Sequence, residues 1–176
     1  HLNTLIIAPT RELAQQIDQQ IEGFSYFLPV SSIPIYGGGD GMIWEQQKKA
    51  LREGADMIIA TPGRLLSMMG SEDVDFSHLQ HLVLDEADRM LDMGFYEDII
   101  RIIKMLPAKR QTMLFSATMP PRIRTMANKI LNQPKEVSIA VSRPADKIRQ
   151  EFYYINNDQK LPMTIAILKN PECQSA

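Results

Sequence analysis

Two adjacent carboxylates, Asp85 and Glu86, close the apolar run Leu82-Val83-Leu84, and Asp88 follows one residue further on. A buried strand that delivers two acids to its carboxyl end suits the cleavage of a phosphoanhydride. One acid can hold Mg²⁺ through the ion's water shell while the other orients and deprotonates the attacking water. In isolation such a pair is more often an acidic turn that caps the next helix. Ser116 and Thr118 flank Ala117 behind a second apolar run, Thr112 to Phe115. Their hydroxyls can point to one side and bond nearby carboxylates, although ordinary turn or cap use places such residues at strand ends too. Arg11 and Arg64 each open a helical pattern beside a proline-containing turn, Pro9-Thr10-Arg11 and Thr61-Pro62-Gly63-Arg64. There, exposed backbone N–H groups and a guanidinium can together hold a phosphate, while a solvated helix end is the plainer use. Gly37 and Gly38 begin the run Gly37-Gly38-Gly39-Asp40-Gly41, which is a loop and leaves room for a sugar-phosphate backbone to come close. His1, His78 and His81 have neither the spacing nor the company of a metal site.

Those side chains need elements to position them. Short apolar runs alternate with helical periodicity along the chain, which predicts βαβ units and an α/β class: a mostly parallel sheet with helices on both faces. Strands are expected at Leu5 to Ala8, Val30 to Tyr36, Met57 to Ala60, Leu79 to Leu84, Thr112 to Phe115 and Lys135 to Val141. The spacing of Leu13, Ile17 and Ile21 predicts a first helix, closed by Gly23, and a second runs from about Ile43 to Arg52. Further helices are expected from Pro62 through Met69 with Thr61 as cap, around Met90 and Leu91, through Ile99 to Leu106, and from Pro120-Pro121 through Ile130. Met68, Met69, Met90, Met93 and Met126 are expected to fill the core. In an open parallel sheet the ligand site lies outside the carboxyl ends of the strands, so the four polar clusters at those ends would line one rim.

The 176 residues correspond to about one domain with a short extension. A hydrophobic share of 44% and a charged share of 23% exclude a disordered chain and a fibre. The net charge of −2 provides no global basic field, so any nucleic-acid contact must be local. No apolar run approaches the roughly 20 residues that cross a bilayer. The single cysteine, Cys173, cannot form an internal disulfide, and no signal-peptide pattern opens the chain; a reducing, cytoplasmic setting is expected. Because residues after His1 lead straight into a strand, the chain reads as a fragment. From Ser142 to Gln150 the apolar pattern lapses into a linker, and Glu151 to Ile155 and Lys160 to Lys169 read as a strand and a helix of a further unit.

Taken in order, five strings resemble the DEAD-box RNA helicases: Ala8-Pro9-Thr10-Arg11-Glu12-Leu13-Ala14, Gly37-Gly38, Thr61-Pro62-Gly63-Arg64-Leu65, Val83-Leu84-Asp85-Glu86-Ala87-Asp88-Arg89-Met90 and Ser116-Ala117-Thr118. The resemblance implies a three-layer RecA-like fold of the P-loop NTPase type, truncated at both ends. Residues 1–141 would be a partial first RecA-like domain lacking its P-loop region, 142–150 the interdomain linker, and 151–176 the start of the second RecA-like domain. It implies ATP and Mg²⁺ as cofactors and RNA as partner, gripped by its backbone and 2′-hydroxyls with little base reading. Carried over by motif, Asp85 would engage Mg²⁺ through water and, with Glu86, bind ATP; Glu86 would act on the hydrolytic water. Asp88, Ser116 and Thr118 would link the nucleotide site to unwinding. Pro9, Thr10, Arg11, Gly37, Gly38, Thr61, Gly63 and Arg64 would contact the RNA backbone.

The sequence also departs from that pattern. A P-loop needs Gly-Lys-Ser/Thr, and none of the nine glycines is followed by lysine. The adenine-recognition glutamine motif and the second-domain motifs with the arginine finger are missing as well. The chain alone is therefore expected to be inactive toward ATP, its parent being the helicase. Two other readings stay open at this point. One is a DNA helicase or translocase on the same fold; the other is a non-catalytic RNA-binding or scaffold module, against which the intact Asp85, Glu86, Ser116 and Thr118 weigh.

Overall fold

A computed structural model describes residues 1–38, 41–70, 74–138 and 152–169. It divides into two compact units, His1–Pro134 and Lys135–Ala176. The first unit alternates strand and helix: β1 Thr4–Ile7, α1 Arg11–Ser25, β2 Ser32–Ile35, α2 Gly41–Glu53, β3 Met57–Ala60, α3 Pro62–Met69, β4 His81–Leu84, α4 Ala87–Asp92, α5 Tyr96–Met105, β5 Gln111–Leu114 and α6 Pro121–Ile130. All strand pairs are parallel, in the order β2-β3-β1-β4-β5. Pro34 lies in β2, an edge strand, where the missing N–H leaves less of a gap than it would in a central one.

The two-residue alternation of the strands sends side chains to opposite faces. Leu5 and Ile7 of β1, Ile58 and Ala60 of β3, and Leu82 and Leu84 of β4 join a core with Leu65 and Met68 of α3, Met90 of α4, Ile99 and Ile102 of α5, and Ile123 and Met126 of α6. Each fully buried Leu or Ile there contributes about 1.5–3 kcal/mol. Ile6 and Ile59 face the other way, where Ala14, Leu13, Ile17 and Ile21 of α1 cover them. The expected helices on both faces are thus present.

The structure departs from the sequence expectations in five places. Gly23 lies inside α1, which continues to Ser25; a glycine ends a helix when it turns left-handed, as Gly54 does with φ +98°, and Gly23 does not. Thr61 stands at the N-cap of α3, yet its hydroxyl makes no capping bond. Met93 is 48% exposed just past α4, while Met68, Met90 and Met126 are buried as expected. In the expected strand Lys135 to Val141, residues 135–138 carry no strand pairing, and 139–141, like the linker 142–150, lie outside the described residues. In the second unit, residues 152–155 pair with no strand either, for want of a ladder partner among the described residues. That unit contains a 3₁₀ turn, Asn157–Gln159, and α7, Lys160–Leu168.

Candidate functional site at the carboxyl rim of the sheet

The ladder runs one residue beyond the strands at their carboxyl ends. The N–H of Ala8 donates to Ala60 O (2.9 Å), that of Thr61 to Ile35 O (3.0 Å), that of Asp85 to Ile7 O (2.9 Å) and that of Phe115 to Leu84 O (2.8 Å). These bonds bring the polar clusters to one level. Strand order then divides them: the Asp85 and Ser116 clusters follow the neighbours β4 and β5, and the Arg11, Gly37 and Arg64 clusters follow β1, β2 and β3.

At β4 and β5 the acids are not used up in capping. Glu86 stands at the N-cap of α4 without a side-chain cap bond, and Asp85 Oδ1 accepts from the Glu86 N–H at 2.9 Å. The first turn of α4 is satisfied by the segment after β5 instead: Ala87 N–H donates to Phe115 O at 3.0 Å, and Asp88 N–H to Ser116 Oγ at 3.2 Å. Asp88 in turn accepts on Oδ2 from the Thr118 hydroxyl at 2.6 Å and from the Thr118 N–H at 2.9 Å. Of the two hydroxyls expected to reach a carboxylate, Thr118 does so. Ser116 donates to Thr118 O at 2.7 Å, because its oxygen is the acceptor that the helix start requires. Burial pushes the Asp88 carboxyl up, but the hydrogen bonds from the Thr118 hydroxyl and from the N–H groups of Thr118 and Arg89, with the Ser116 hydroxyl close by, outweigh it and hold it below the usual carboxylate range.

Glu86 is also strained. Its φ of 48° and ψ of 51° are left-handed, a conformation that costs a non-glycine residue about 1–3 kcal/mol and that accumulates at functional sites. Arg89 Nε lies 4.0 Å from Glu86 Oε2.

At β1, β2 and β3 the rim is open. Thr10 caps α1 by accepting from the Leu13 N–H at 3.2 Å, and Pro9 is buried, shaping the turn from within and leaving Thr10 and Arg11 at its surface. Arg11 is half exposed and donates from Nε to Glu12 at 3.0 Å. Gly38 has φ +92°, and a methyl group placed on it would lie 3.6 Å from Arg11 Nη1, so the clusters after β1 and β2 meet here. Gly37 and Gly63 are different: each has open space where a side chain would go and no left-handed φ. Nothing within the described chain requires glycine at either position. Sequence reasoning missed one pair in this region, Gln15 and Tyr36, joined by a 2.7 Å bond from Gln15 Nε2 to the Tyr36 hydroxyl. No cluster of three or more metal-ligating side chains occurs among the described residues.

The sequence profile of the DEAD/DEAH box helicases matches residues 1–126. The chain belongs to that family. Among similar proteins, ATP-dependent RNA helicase DBP3 of Lodderomyces elongisporus is 48% identical over 139 residues, which is 78% of this chain and 25% of the relative. ATP-dependent RNA helicase CshA of Listeria monocytogenes is 38% identical over 169 residues, 96% of this chain and 32% of the relative. The crystal structure of the yeast DEAD-box splicing factor Prp28 superimposes with a TM-score of 0.69 at 34% identity, covering 74% of this chain and 31% of that one. The five-stranded parallel sheet is accordingly that of a RecA-like DEAD-box domain. The chain spans about a quarter to a third of the length of these relatives.

Proposed function

We propose that this chain carries the Mg²⁺-facing acids and part of the RNA-gripping surface of an ATP-dependent RNA helicase, and that residues 151–176 begin its second RecA-like unit. The observation that carries the reading is the division of labour at the rim: Asp85 and Glu86 remain available while Asp88 is locked to the Ser116–Thr118 segment. The donor set fits Mg²⁺. Asp85 offers a hard carboxylate at the sheet's end with one oxygen engaged by a backbone N–H, and a single carboxylate is the kind of protein ligand Mg²⁺ takes when waters and phosphate oxygens supply the rest. Bound with ATP, Mg²⁺ supplies neutralisation of the charge on the transferred phosphoryl group.

Asp85 would hold the ion through its water shell, and Glu86, fixed by its left-handed backbone at the strand end, would take the proton of the attacking water. Asp88 ties the first turn of α4 to the segment after β5, so a displacement of either is felt by the other. Thr10, Arg11, Gly37, Gly38, Thr61, Gly63 and Arg64 receive the sugar-phosphate backbone, the open glycines allowing close approach and the arginines supplying charge. No helix among the described residues is long and apolar enough to cross a membrane, and the single cysteine supports a reducing, cytoplasmic compartment. The test is ATP hydrolysis by the full-length parent with RNA or DNA of the same sequence. Stimulation by RNA alone is expected. Equal stimulation by DNA would indicate a DNA translocase, and no hydrolysis with either would leave a scaffold module.

A further inference from the structure

One stripe of α1 reads along β2 and into the glycine loop. Asp18 accepts from the Ser32 hydroxyl at 2.6 Å, Gln15 donates to the Tyr36 hydroxyl at 2.7 Å, and Arg11 comes up against Gly38. Residues 11, 15 and 18 follow the helical spacing i, i+4, i+7, so these three contacts lie on one side of the helix and descend β2 from rim to base. Tyr36 is the residue immediately before Gly37-Gly38. Its ring is half-buried and packs with Ala8, Ala14 and Ile59, and its hydroxyl reaches past that cluster to Gln15.

We propose that Tyr36 and Gln15 are positioning residues for RNA binding: their hydrogen bond fixes the gap between the Arg11 guanidinium and Gly37-Gly38, and so the width of the cradle offered to the RNA backbone. This rests on the reading of those residues as RNA contacts. The physical argument is that glycines confer no preferred position on a loop by themselves, so the loop must be held from its flank. Tyr36 supplies that hold on the β2 side: the ring contributes packing, and the hydroxyl contributes direction.

The experiment uses the full-length parent protein and measures the RNA concentration giving half-maximal ATPase stimulation together with kcat at saturating RNA. Tyr36→Phe and Gln15→Ala should each raise the half-maximal concentration about threefold to tenfold, the range of one net hydrogen bond, with kcat unchanged. The double variant should be no worse than either single one, since both remove the same bond. Ser32→Ala removes the other bond between α1 and β2, away from the rim, and should lower the melting temperature without moving the RNA requirement. The proposal is overturned if Tyr36→Phe leaves the RNA requirement within about 1.5-fold of native while Arg11→Ala raises it, if the single effects multiply, or if Ser32→Ala raises it equally. A native RNA requirement in Arg11→Ala would remove the underlying reading of the site, and the proposal with it.

Discussion

After β4 and β5, Asp88, Ser116 and Thr118 are spent on one another: Asp88 takes two donors from Thr118, Ser116 both accepts and donates, and the first turn of α4 is capped by the chain after β5. At β1, β2 and β3, a guanidinium stands half in solvent and two glycines face open space that no described residue fills. The contrast separates a linkage from a receiving surface. A hydrogen-bonded network holds two elements at a fixed distance and transmits a shift in either. An open rim with a pre-set loop can accept an extended polymer without first breaking its own bonds.

The sharpest way to break the contrast is at Glu86. In the parent protein, Glu86→Gln should reduce RNA-stimulated ATP turnover about 100-fold or more, as loss of a general base does; retention of more than about a tenth of the rate would remove Glu86 from that role. Next is the linkage. Thr118→Val deletes the 2.6 Å donor to Asp88 and keeps the backbone one. A bond to a charged group is worth about 1.5–3 kcal/mol, so strand displacement per ATP hydrolysed should fall about tenfold or more, and an unchanged ratio would mean that the network is only structural. On the open side, Gly63→Ala should weaken RNA binding severalfold while raising stability by about 0.5–1 kcal/mol, because alanine is the better helix residue. Thermal melting and RNA titration on the same sample check both signs, and unaltered RNA affinity would mean that the space at Gly63 is not used.

The smallest effect is in acid. Asp88 is held below its ordinary pKa in the folded protein, so its contribution to stability is present above the unfolded value of about 3.9 and is lost as pH falls through the lower folded one. Asp88→Asn should therefore be less stable than native at neutral pH, with the gap closing below about pH 4. A gap constant across that range would show that the carboxylate's charge is not what holds the segment.

The motifs themselves were legible because each combines a chemistry-bearing residue with a strand end, and the rule placing ligands at the carboxyl ends of parallel strands did the rest. Less legible were contacts between elements. That Ser116 caps α4, where Glu86 does not, depends on β4 and β5 being neighbours, and the strand order is not written in either segment. Gln15 and Asp18 lie off the apolar series Leu13, Ile17 and Ile21, and nothing in α1 alone shows that β2 lies beside them. In the expected strand at Lys135 to Val141 the local apolar pattern does not say what pairs with it, and residues 135–138 carry no pairing because a strand exists only when a partner pairs with it.

The most direct test of the divided rim is a titration of RNA into the Glu86→Gln parent protein in the presence of ATP, reading binding and turnover together. The account predicts RNA affinity no weaker than native with turnover nearly abolished. Loss of RNA affinity in step with turnover, in a variant that melts like the native protein, would contradict the separation of the two halves.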